Sequence, residues 1–104
     1  MPDVSLPYDY TTSTMIEYLL VVGEKERAIE MAKILGRRAD EKVGYYIKND
    51  NNISFELQQN LVILRDLAQT MARYGELDLA KQFGDALEGY YDELQVGGNG
   101  RSTR

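Results

Sequence analysis

Apolar residues return every three or four positions along most of this chain, the spacing that lines one face of an α-helix. A first helix is expected from Ser13 or Thr14 to about Val22, with Thr11, Thr12 and Ser13 offering hydroxyls for an N-cap. Gly23 follows where a left-handed residue closes a helix. A second helix is expected from about Glu24, because Ala28, Ala32, Leu35, Ala39, Val43 and Tyr46 form one stripe. Glu26, Arg27, Glu30, Lys33, Arg37 and Asp40 lie largely off that stripe and read as its wet face. Gly36 and Gly44 weaken the helix and are the two places where it can bend or end early. The run Asn49-Asp50-Asn51-Asn52 reads as a loop, since Asx side chains compete with the helical backbone for hydrogen bonds.

A third helix is expected from near Ser54, carrying Leu57, Leu61, Leu64, Ala68 and Met71 inward. Val62, Ile63 and Leu67 widen that stripe and mark this helix as the most buried of the set. Gly75 ends it as Gly23 ends the first. The fourth helix, from about Glu76 to Gln95, turns Ala80, Phe83, Leu87, Tyr90 and Leu94 inward. Residues 1–10 read as an extended lead-in and residues 96–104 as a polar, glycine-rich flexible tail, leaving residues 11–95 as one helical domain. Both prolines precede Tyr8, so nothing in that domain forces a break of the proline kind. The fold expected is all-α: four helices in two hairpins.

An offset of 52 positions lays residues 15–35 over residues 67–87. Gly23 falls on Gly75, Glu24 on Glu76, Ala28 on Ala80 and Leu35 on Leu87, with Met15/Leu67, Leu19/Met71 and Met31/Phe83 as apolar matches. The five-residue spacing has a physical reason. The glycine takes the left-handed turn, and the alanine one turn into the next helix lets the two helices approach.

Gly23/Ala28 and Gly75/Ala80 resemble the tetratricopeptide repeat, whose signature sets a glycine in the turn and a small residue five positions on. That resemblance implies a right-handed helical repeat. The early tryptophan-type position and the closing proline of the family are missing, and the offset exceeds its usual length of about 34 residues. A wider resemblance covers most of residues 8–95 and rests on Pro7 to Tyr10, Gly23 to Ala28, Gly75 to Ala80 and Tyr90-Tyr91. It is to the soluble C-terminal tail of certain Bacteroidetes proteins with a glycosyltransferase-like multi-span membrane half. None of these residues is a catalytic signature, so the resemblance implies a non-catalytic domain facing the periplasm, attached to an enzyme whose active site lies elsewhere.

Composition narrows the chemistry. With 43% hydrophobic residues a folded core is expected. A net charge of -5 repels phosphate backbones, so nucleic acid is not an expected partner. The longest clean apolar run, Tyr18 to Val22, is far too short to cross a bilayer, so no direct membrane insertion of this segment is expected. The acidic, proline-bearing start does not read as a signal peptide. Without cysteine there are no thiolate nucleophiles or zinc-thiolate sites, and the redox compartment is left open. Without histidine the usual proton shuttle near neutral pH is gone, together with most familiar hydrolase constellations. No catalytic residue, metal or cofactor is expected.

Eight tyrosines and no tryptophan are the unusual feature. In the adjacent pairs Tyr45-Tyr46 and Tyr90-Tyr91, one ring can face the core while its neighbour points outward as a contact residue; the plainer alternative is that all are ordinary half-buried helix residues closing the hairpin ends. Arg37 and Arg38 are candidates for an anionic group, although Asp40 and Glu41 beside them fit plain surface charge as well. The row Asp85, Glu88 and Asp92 lies on one helical face, and a single straight helix cannot set two carboxylates across a substrate. Asp50, Asn52, Ser54 and Glu56 start like a calcium loop, but Phe55 and Leu61 stand where that loop needs Gly and Glu. Asn52-Ile53-Ser54 matches the glycosylation sequon, a pattern frequent by chance. The function expected is a protein-interaction or scaffolding module, self-association included, within a larger protein. A ligand- or carbohydrate-binding accessory domain is the alternative.

Overall fold

Two glycines set the architecture. The computed structural model describes residues 10–49 and 55–95, and these form four α-helices with no strand among the described residues. The helices are α1 (Tyr10–Val21), α2 (Lys25–Lys48), α3 (Phe55–Arg73) and α4 (Leu77–Leu94). Gly23 and Gly75 are the positive-φ glycines among the described residues, at 91° and 84°. At the first turn the Glu24 N–H reaches back to the Leu19 carbonyl at 2.8 Å and the Gly23 N–H to Leu20 at 3.3 Å. At the second, Glu76 reaches Met71 at 2.8 Å and Gly75 reaches Ala72 at 3.2 Å. This crossed pair satisfies the carbonyls that a helix end leaves free, and it requires a left-handed residue at its centre.

Each helix packs on the next in the chain, while α1 with α3 and α2 with α4 meet more lightly. The extents, 48 × 30 × 15 Å, fit a thin slab of two helix layers. One layer holds α1 and α3, joined where Glu17 accepts from Arg73 Nη1 at 3.2 Å and from the Tyr74 hydroxyl at 3.1 Å. The other holds α2 and α4, joined where the Tyr90 hydroxyl donates to Asp40, 2.7 Å from Oδ1 and 3.0 Å from the carbonyl oxygen. A Lys25–Glu76 ion pair at 3.0 Å ties the start of α2 to the second turn.

The core runs along α3. Leu57, Leu61, Ile63, Leu64, Leu67 and Met71 are all buried there, which makes it the most buried helix, as its wide stripe indicated. Ala28, Ala32, Leu35, Ala39 and Val43 of α2 meet them, with Ile16 and Leu19 from α1 and Leu79 and Phe83 from α4. Sealing each large aliphatic chain contributes about 1.5–3 kcal/mol. Of the expected inward set of α4, only Phe83 is fully buried; Ala80, Leu87, Tyr90 and Leu94 are half-covered.

Two expectations are corrected. The first helix opens at Tyr10, so Thr11, Thr12 and Ser13 lie in its first turn instead of capping it. N–H groups in a first turn have no intrahelical acceptor, so a row of hydroxyl residues suits several starting points equally. Neither Gly36 nor Gly44 ends α2, which runs unbroken through both. Tertiary packing explains Gly36: a Cβ there would collide with Phe83 Cε1, so the glycine is a seat for an aromatic ring of α4. At Gly44 the nearest atom would be the Tyr90 hydroxyl at 3.6 Å, an ordinary contact. The lead-in, the tail and the loop beyond Asn49 lie outside the described residues.

Candidate interaction surface

The tyrosine pairs divide as their adjacency requires. On α2, Tyr46 packs against the core and donates its hydroxyl to Glu56, while Tyr45 is 62% exposed. The two rings meet edge to face, centroids 5.4 Å apart. On α4, Tyr90 turns in to Asp40 and Tyr91 turns out, 49% exposed. Burial, followed by the hydrogen bond to Asp40, pushes the Tyr90 phenol well above its usual range. Tyr74, beside Glu17, is raised in the same sense. Inward rings thus lock helix to helix, and outward rings stand exposed.

Arg37 and Arg38 part company. Arg37 lines an open groove of about 360 Å³ between α2 and α4, with Lys33 one turn before it, Asp40 and Gln82 alongside and buried Leu64 and Phe83 beneath. Arg38 is half-buried, engaged in an interaction of its own, and does not line that groove. The turn residues Gly23, Ala28, Gly75 and Ala80 shape the hairpins, with Ala28 wholly buried and Ala80 half-buried.

The acidic row on α4 lies in the open, and Asp85 pairs with Lys81 at 3.1 Å. Among the described residues no three acidic side chains converge as a metal site would need. Asp50, Asn52 and Ser54 lie outside the described residues, the sequon with them, and Glu56 is engaged by Tyr46. No helix among the described residues is long and apolar enough to cross a membrane.

The surface that sequence reasoning passed over is the outer face of α1. Met15 is 45% exposed and Tyr18 is 58% exposed, with Val21 and Val22 also bare. The counterparts of Met15 and Tyr18 52 positions on behave differently: Leu67 is 1% exposed and Thr70 is 8% exposed. The cause is position. Helix α3 has α1 and α2 before it and α4 after it, and Thr70 lies beside Ser13, Thr14 and Glu17 of α1. Among the described residues, helix α1 has neighbours only from later in the chain. A signal was present in the sequence, because Met15, Ile16, Tyr18, Leu19, Leu20 and Val21 crowd the second half of α1 with more apolar residues than one buried stripe can use.

The chain matches no protein-family model, no curated protein and no solved structure.

Proposed function

We propose that this domain is a non-catalytic interaction module, a two-hairpin helical repeat of the tetratricopeptide kind, that holds a partner against the open face of α1. The supporting observation is the contrast just described: Met15 and Tyr18 stand in water where Leu67 and Thr70 are covered. A contiguous apolar face of this kind is what a soluble surface otherwise avoids, and in stacked repeats such a face is closed by the next unit or a cap. The resemblance to the soluble tails of Bacteroidetes membrane proteins supports a place within a longer, membrane-attached protein. Selection of binders from a displayed peptide library by the purified domain tests the proposal. Amphipathic helical sequences should be enriched, and Tyr18→Glu should abolish their binding without changing the circular dichroism of the domain. Absence of enrichment, or enrichment indifferent to Tyr18→Glu, sinks it.

The groove between α2 and α4 favours a second reading, an accessory ligand site. Its volume of about 360 Å³ is within the range of small-molecule pockets, and Lys33 and Arg37 suit an acidic sugar. Calorimetric titration with glucuronate and with glucose 6-phosphate separates it from the first: heat of binding lost in Arg37→Ala would favour the ligand site.

A further inference from the structure

The open face of α1 has a natural counterpart on the same molecule. We propose that a second copy of this chain covers it, α3 and α4 of one molecule receiving α1 of the next, so that copies add head to tail. This inference rests on the interaction reading above and names its partner. Inside one molecule, α3 is received by α1 and α2. At the 52-residue offset the receiving pair becomes α3 and α4, and that side carries no following helix among the described residues.

The receiving side of α4 keeps the required shape and lacks its cover. Ala28, Ala32, Leu35 and Ala39 of α2 are buried to 1% exposure or less. Their counterparts Ala80, Gly84 and Leu87 are only half-covered and Tyr91 is exposed, although the small residues remain small at Ala80 and Gly84. A Cβ built on Gly84 meets nothing within 4 Å, so α4 is open at that position.

Charge decides between the possible pairings. Helix α2 holds seven basic residues against four acidic ones, a net of +3. Helix α4 holds five acidic against one basic, a net of -4. Head-to-tail addition sets the acidic α4 of one copy beside the net basic α2 of the next, as α2 and α4 already lie within one copy, and so keeps two acidic helices apart. A two-fold pairing of α4 with α4 would oppose like charges across the interface. Since each junction covers little more than one helix, association at the weak end of specific interfaces is expected, with Kd of about 10 μM to 1 mM.

Sedimentation velocity from about 10 μM to about 1 mM tests it, that span bracketing the expected Kd. The wild-type mass should climb with concentration past the dimer. Tyr18→Glu spoils the α1 face and Gly84→Arg the α4 face, both at open positions outside the core, so each variant should keep its helical circular dichroism and remain monomeric. Mixed in equal amounts, the two variants retain one good face each and should form a dimer and nothing larger. A wild type that stays at 11.9 kDa throughout overturns self-assembly. So does association abolished by Tyr18→Glu but indifferent to Gly84→Arg, which would mean α1 pairing with α1, and so does a mixture that fails to recover the dimer. If the wild type is monomeric while library binders still depend on Tyr18, self-assembly falls and the interaction reading stands.

Discussion

The two glycine turns are near copies, and the helix faces beside them are not. Equivalent hydrogen bonds run from Ala28 to the Glu24 carbonyl at 3.1 Å and from Ala80 to Glu76 at 3.0 Å. Both helix starts also lack a side-chain cap. Yet Met15 is bare and Leu67 is sealed. Local chemistry determines a turn, because a glycine at positive φ and a following helix suffice. Burial depends on which element comes next in space, and among the described residues no helix precedes α1. Similar sequence therefore reproduces conformation faithfully and environment only in the middle of the row.

The comparison breaks most visibly under truncation. Leu67→Ala should cost about 2–5 kcal/mol, the toll of a cavity in a packed core. Met15→Ala should cost within about 0.5 kcal/mol, as surface changes usually do. Urea denaturation of dilute protein, where self-association is absent, measures both. Equal losses would mean that α1 is covered after all.

A second test separates two glycines within α2. Gly36→Ala drives a methyl into the ring of Phe83, and overpacking of that kind costs about 1–3 kcal/mol. The intrinsic helical gain from alanine, about 0.5–1 kcal/mol, offsets only part of it. Gly44→Ala meets no obstruction and should instead stabilise by about 0.5–1 kcal/mol. Opposite signs in paired urea titrations are expected, and like signs would mean that Phe83 moves aside freely.

These glycines also show how far the sequence could be read. Helix number, both turns and the α2 stripe were legible, because spacing and positive-φ glycines are local signals. Gly36 was misread as a weak point because Phe83, the residue that needs it, is 47 positions away, and no periodicity connects them. The open face of α1 was legible only as an excess of apolar residues. The tyrosine pairs resolved correctly into inner and outer rings, since adjacency on a helix separates two side chains by about 100°. Which of Arg37 and Arg38 reaches the groove could not be read, because that depends on where α4 crosses α2.

The turns themselves offer a smaller, matched effect. Gly23→Ala and Gly75→Ala force a Cβ into left-handed backbone, at about 1–2 kcal/mol each. Neither added methyl would touch anything within 4 Å, so the costs should agree within about 0.5 kcal/mol if backbone strain is the whole effect. Asparagine, which tolerates this conformation, should recover part of the loss at both sites. Unequal costs in thermal melts would show that the turns differ in more than their surroundings.

The smallest effect concerns the lock between α2 and α4, and its dependence on pH identifies it. Tyr90→Phe keeps the ring and removes the hydroxyl from Asp40, so near neutral pH it should cost about 0.5–1.5 kcal/mol, the net value of one hydrogen bond. In the unfolded chain this phenol ionises near its ordinary value of 10.0, whereas burial and Asp40 keep it neutral to higher pH when folded. The folded state therefore binds more protons above that value, and stability falls as pH rises through it. Tyr90→Phe lacks this contribution, so the gap between variant and wild type should hold steady below about pH 10 and narrow above it. Tyr74 is shifted the same way but is present in both proteins, so its effect cancels in the difference. A gap that stays constant through alkaline urea titrations would mean that the hydroxyl is wet, and that the packing of Phe83 on Gly36 alone holds the two helices together.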